Sequence, residues 1–211
     1  MRPVTISRTL AAASANSIAL LQTTAGAGNF TLDGALVSGG VATIPVASQV
    51  TLTSAGNISG VNFTITGTDT RGQTVTEVLA GPNANTVTSV YTYATVTSIA
   101  VNGAVGTNTS VGNAQSGASP VIPLDLYLPF GSTTSVKVTG TVNYTVQVSN
   151  DDPYVADQTT MVWSSHPTAA LVGATASQIG TTANAYRAIR LVTNSGGGTA
   201  AITVSQQGLI V

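Results

Sequence analysis

From Val136 to Val148 the chain alternates. Val136, Val138, Val142, Tyr144, Val146 and Val148 fall on one side of an extended backbone, and Lys137, Thr139, Thr141, Asn143, Thr145 and Gln147 on the other. A period of two over this length predicts a strand with one buried face. Gly140 sits at an inward position, where a glycine signals a bulge or a close backbone approach. Val61, Phe63 and Ile65 alternate with Asn62, Thr64 and Thr66. The turn-rich Gly67-Thr-Asp-Thr-Arg-Gly72 and a returning strand at Gln73–Leu79 make 61–79 a β-hairpin. Further strands are expected at Thr86–Tyr93 and Thr95–Val101. Ala188–Thr193 and Ala200–Gln206 flank Asn194-Ser-Gly-Gly-Gly and read as a hairpin closed by a glycine loop. Helical signal is weak: Thr9–Leu21 has the length for two or three turns, but its Ala, Ser and Asn residues form no apolar stripe.

Short strands separated by turn signals every 8–12 residues or so predict an all-β chain, sandwich-like, with little or no helix. The stretch Asn102–Pro120 is rich in Gly, Asn, Ser and Thr and reads as a linker or long loop. It divides the chain into two tandem sandwich-like domains, 1–112 and 113–211. One larger sandwich with a long surface loop is the alternative.

Composition changes the picture at one point, which is charge. Only 6% of the 211 residues are charged, against roughly 25% in an ordinary soluble domain. Hydrophobic content is 43% and net charge −1, which does not fit a disordered chain. Six cations spread from Arg2 to Arg190 make no basic patch, so no nucleic-acid partner is expected. No apolar stretch approaches the ~20 residues of a membrane span, and the first residues lack the apolar core of a secretory leader; no membrane partner is expected. Outward strand positions carry Thr, Ser, Asn and Gln. These can be covered by another protein without desolvating charge, so the pattern fits either a neutral secreted domain or a subunit covered in an assembly.

Candidate chemistry is sparse. Cysteine is absent and His166 is the single histidine, which removes thiolate chemistry and multi-histidine metal sites. No Gly-x-Ser-x-Gly elbow occurs, and His166, in Trp163-Ser-Ser-His-Pro167, reads as a loop or packing residue. Asp151, Asp152 and Asp157 cluster in Asn150-Asp-Asp-Pro-Tyr-Val-Ala-Asp157. Clustered carboxylates can hold Ca²⁺, but the spacing matches no twelve-residue calcium loop, and Asp before Pro is common turn chemistry. Arg187 and Arg190 stand in Tyr186-Arg-Ala-Ile-Arg-Leu191, where ion pairing with the 151–157 acids and an interface contact are both open. No catalytic, cofactor-binding or metal-binding residues are assigned, and the expectation is a protein that is not an enzyme.

One resemblance runs through the chain. Its first half carries Gly26-Ala-Gly-Asn-Phe-Thr-Leu-Asp-Gly-Ala-Leu36, Val50-Thr-Leu-Thr-Ser-Ala-Gly56, Phe63-Thr-Ile-Thr-Gly-Thr-Asp69 and Thr95-Val-Thr-Ser-Ile99. Its second half carries Gly140-Thr-Val-Asn-Tyr-Thr-Val-Gln147, Asp151-Asp-Pro153, Trp163, His166-Pro167 and Arg187-Ala-Ile-Arg190. In this order the phrases resemble virion structural proteins of tailed bacteriophages. That resemblance implies a non-enzymatic protein with no catalytic residues to carry over, and by analogy a capsid decoration (cement) protein. It would bind the major capsid protein and copies of itself on the capsid surface. A tail or fibre component and a carbohydrate-binding adhesin module are the alternatives.

Overall fold

Strand takes 62% of the described residues and helix 2%, so the chain is all-β. The computed structural model describes residues 13–126, 131–156 and 159–206, and the backbone of 4–9. In chain order the strands are β1 (Val4–Thr9), β2 (Ser14–Thr24), β3 (Gly28–Asn29), β4 (Val37–Ser38), β5 (Val41–Ser54), β6 (Asn62–Thr68), β7 (Thr74–Ala80) and β8 (Thr86–Val101). They continue with β9 (Val105–Ala118), β10 (Ile122–Pro123), β11 (Ser132–Thr139), β12 (Asn143–Ser149), β13 (Ser164–Ser165), β14 (Gln178–Thr182), β15 (Ala188–Ser195) and β16 (Thr199–Gln206). The helical content is one 3-10 turn, Ala169–Leu171. Two units form. One is Ala12–Ala114; the other is the chain from Gln115 onward together with β1.

In the second unit the alternation at 136–148 resolves into two strands rather than one. β11 pairs with β16 and β12 with β15, and these pairs belong to different sheets. The register shows how. Thr139 faces Thr199 and Asn143 faces Ser195, so one antiparallel ribbon, 132–149 against 188–206, runs through both sheets and folds over at its middle. Gly140, at φ +77°, makes the bend on one strand, and Gly196, at φ +100°, makes it on the other. Gly198 N–H donates to the Thr141 carbonyl at 2.8 Å, which locks the two bends together. Strands that pass from one sheet to the other at such a corner are a standard way to close a sandwich. The expected hairpin at 188–206 is therefore corrected: β15 and β16 do not pair with each other. The triple glycine bends the ribbon instead of reversing it.

Because the fold-over preserves the inward alternation, one core lies between the two sheets. Val136, Ala200, Ile202 and Val204 come from one sheet and Val142, Tyr144, Val146, Val148, Ile189 and Leu191 from the other, all buried, with Leu171 beside them. The first sheet runs β1-β16-β11-β14; in the second, β13, β12 and β15 lie side by side, with β10 on β15.

The first unit is ordered β9-β5-β8-β6-β7, with β2 on β9, β3 on β8 and β4 on β5. β6 and β7 form the expected hairpin, Asn62 facing Ala80 and Thr68 facing Thr74. The two strands expected at 86–101 are one strand, β8, which pairs with β5 through Thr86–Val96 and with β6 through Thr95–Val101. Register shifts in both pairings bend it, which is why its inward residues (Ser89, Tyr93, Val96, Ile99, Val101) drift from a strict period of two. Phe30 meets Phe63 edge-on at 5.5 Å in the core.

The segment 102–120 is corrected as well. It holds β9, fourteen residues long, and the boundary between the units falls within that strand rather than at a linker. Thr109, Ser110 and Asn113 are buried there. The Ser17 hydroxyl donates to Asn113 Oδ1 at 2.7 Å, and the Thr109 hydroxyl to the Thr107 carbonyl at 3.0 Å. Small polar residues with internal partners fill a crowded interior position that composition alone reads as loop. The strand β2 occupies Ser14–Thr24, so the described part of the weakly helical stretch Thr9–Leu21 is extended instead.

Candidate functional site

The charged side chains are few, and most of the described acids point into the protein's own backbone. Asp33 accepts from Leu20 N–H at 2.8 Å. Asp69, buried, accepts from the N–H groups of Arg71 and Gln73 at 2.8 and 2.9 Å and lies 3.5 Å from Arg71 Nε. Glu77 accepts from Val90 and Tyr91 N–H at 2.7 and 3.2 Å. Burial first, and then the Glu77 carboxylate, push the Tyr93 phenol well above its ordinary range. Each of these carboxylates holds a turn or a strand irregularity together; Asp125 is exposed, with no partner for its carboxylate among the described residues.

The 150s segment behaves the same way. Asp151 Oδ2 accepts from Val162 N–H at 2.5 Å and from the Ser149 hydroxyl at 3.3 Å. Asp152 Oδ1 accepts from Tyr154 N–H at 2.9 Å, and its other oxygen lies 2.6 Å from Arg187 Nη2. Both carboxylates are thus committed to turn N–H groups and an ion pair. Among the described residues no group of three His, Asp or Glu side chains gathers that could hold a metal. Asp157 lies outside the described residues. Arg187 stands just before β15, and it makes the ion pair with the 151–157 acids that was open to it from the sequence, through Asp152.

Arg190 differs. It sits on β15 across from Gln147, on the face away from Ile189 and Leu191. Its Nε donates to Gln147 Oε1 at 2.9 Å, and its guanidinium carbon lies 4.1 Å from the centroid of the Trp163 ring. Burial pulls its pKa down to about 10. Trp163 and Arg190 are far apart in sequence, and no local pattern joins them. The one available signal is parity: with Ser165 across from Gln147, Trp163 falls on the same outer face as Gln147 and Arg190.

His166 is buried across from Val146, whose carbonyl accepts its N–H at 2.9 Å. Its Nδ1 accepts from Thr168 N–H at 3.1 Å, so the neutral ring carries its proton on Nε2. That Nε2 is buried with no hydrogen-bond partner among the described residues. Among the described residues the ring's one hydrogen bond is the Thr168 N–H that Nδ1 accepts.

A pH dependence follows. Burial lowers the His166 pKa below the ordinary 6.5. Above that value folded and unfolded chains are both neutral at this position. Below it the unfolded chain takes up a proton that the folded one refuses, so stability falls as pH drops from about 6.5, at no more than ~1.4 kcal/mol per pH unit, the limit for one proton. Thermal melting between pH 7 and 5 should fall more steeply for the native chain than for His166→Asn, whose amide oxygen can still accept from Thr168 N–H. Equal slopes would assign the acid sensitivity to other groups.

No helix among the described residues is long and apolar enough to cross a membrane. No protein-family model matches the chain, and no curated protein sequence matches it with significant similarity.

Proposed function

We propose that this chain is a virion structural protein of a tailed bacteriophage that binds the head and strengthens its lattice. The observation that carries the reading is the disposition of charge. The carboxylates of Asp33, Asp69, Glu77, Asp151 and Asp152 are turned onto the protein's own backbone, and outer strand positions such as Thr64, Thr66, Thr145, Thr203 and Ser205 are uncharged. A surface of this kind can be covered by a neighbouring protein at low desolvation cost. The ordered resemblance to phage virion proteins supports the same reading. The mechanism is mechanical: a protein that binds only the assembled lattice stabilises it by mass action, and modest contacts repeat over many symmetric sites.

The test uses particles assembled without this protein and then incubated with the purified chain. They should take it up to saturation at regular lattice sites and resist heat or osmotic shock better than bare particles. Binding should persist from about 0.1 to 1 M salt, a rise that shortens the Debye length from roughly 10 to 3 Å. Uptake by tails, host cells or glycans with none by heads would overturn the assignment in favour of a fibre or adhesin. Loss from heads at moderate salt would overturn the argument from charge.

A further inference from the structure

We infer that Arg190, stacked on Trp163, anchors the partner-binding face of this protein and receives a carboxylate from a different protein. The inference rests on the reading of the chain as a virion structural protein. A guanidinium has five N–H donors and two flat faces. Here one donor goes to Gln147 and one face to Trp163. The Nη groups make no hydrogen bond among the described residues, whereas Arg71 and Arg187 each stand beside a carboxylate. Partly withdrawn from water, Arg190 has no counter-ion among the described residues, and its contacts with Gln147 and Trp163 restore only part of the solvation a guanidinium loses. The stacking and the Gln147 contact also fix the plane of the fork before any partner arrives. That removes much of the ordering cost an arginine ordinarily carries into an interface.

The chemistry of the occupant follows from complementarity. A planar, pre-oriented fork matches a carboxylate held by two parallel hydrogen bonds. Ser165, across from Gln147 on the same face, is exposed and supplies a hydroxyl at the rim. Within the chain itself Asp33, Asp69, Glu77, Asp151 and Asp152 are already engaged with their own backbone, while Asp125 is exposed and its carboxylate has no partner among the described residues. On the reading above, the occupant that complements this cationic fork is an Asp or Glu side chain of the major capsid subunit; a second copy offering Asp125 is the outcome that the cross-link below separates from it. One enclosed ion pair of this type is screened little, which keeps it compatible with salt-tolerant binding.

The experiment measures binding of the full chain to purified heads and, separately, to purified tails. Arg190→Gln should weaken binding by about tenfold or more, as expected when one member of an enclosed charge pair is removed. Lys137→Gln, which removes an exposed cation on the other sheet of the same unit, should change nothing. Arg190→Lys keeps the charge, loses the fork, and places an amine where a carbodiimide can join it to a touching carboxylate; peptide mapping should then find position 190 linked to an Asp or Glu of the particle. This variant also serves if Arg190→Gln does not melt like the native chain. Native-like binding by Arg190→Gln, or a link formed only to another copy of this chain, would overturn the inference while leaving the head assignment standing. Arg190-dependent binding to tails alone would overturn the head assignment and keep the anchor. A chain that binds neither particle would overturn both.

Discussion

Val146→Asp should lower the stability of its unit by about 3–5 kcal/mol, the cost of leaving an uncompensated charge in a core. Val146 is fully buried between the two sheets, among Tyr144, Val148, Leu191 and Ile202. The neighbouring change Thr145→Asp should cost about 1 kcal/mol or less, within the usual range for surface substitutions. Thr145 lies on the opposite face, and its hydroxyl oxygen already accepts from Gly173 N–H and Asn194 Nδ2 at 3.0 and 3.1 Å. A carboxylate can accept from the same two groups. Trp163 is the chain's single tryptophan and belongs to this unit, so its fluorescence during urea unfolding reports on this unit. A midpoint shift for Val146→Asp no larger than that for Thr145→Asp would show that the burial assigned to this ribbon is wrong.

The second large effect is expected at the fold-over. Gly196 has φ +100°, and a Cβ there would lie 2.5 Å from the Thr141 carbonyl oxygen. Gly196→Ala thus combines a backbone conformation that L-residues avoid, at roughly 1–3 kcal/mol, with overpacking of similar size. We expect a total of about 3 kcal/mol. Gly197, the next residue, would place a Cβ in open space, so Gly197→Ala should leave the midpoint unchanged. Equal behaviour of the two variants in the same fluorescence assay would contradict the corner described for this ribbon.

These two positions also mark what was legible in the sequence. The inward faces of 136–148 could be read residue by residue, because burial of one side of a strand leaves a period of two whatever sheet the strand joins. Which partner the strand takes leaves no such trace. Gly140 and the run Gly196, Gly197 and Gly198 look alike whether they close a hairpin or bend a ribbon, and the difference is settled by long-range pairing of 132–139 with 199–206. The hairpin at 62–80 was readable because its pairing is local and its turn chemistry sits between the strands. β9 was not, because its interior positions hold the small polar residues Thr109, Ser110 and Asn113; Asn113 takes its partner from the distant Ser17 and Thr109 from the Thr107 carbonyl. At the outer face, the roles of Asp151 and Asp152 as turn acceptors follow from Asp and Pro at short spacing. The stacking of Arg190 on Trp163 depends on β12 lying between β13 and β15, and no local pattern encodes it.

The pairing of β1 with β16, Val4 opposite Val204 and Thr9 opposite Thr199, has a consequence for how the protein is made. Emerging from the ribosome in order, the described strands β2 to β9 of the first unit lie in one continuous stretch, 14–118, and can finish folding early. The other unit cannot. Its first strand, β1, leaves the ribosome before any of its partners, and β16, the strand it pairs with, follows all the other described strands of that unit. Until then β1 is an unpaired segment, free to be captured by the wrong edge. Sheets assembled from such distant segments form slowly, and exposed strands in that interval are where misassembly starts. Production of this protein should therefore be limited by events after β16 is released, and lower synthesis temperature should raise the yield of correctly closed chains more than it changes the amount made.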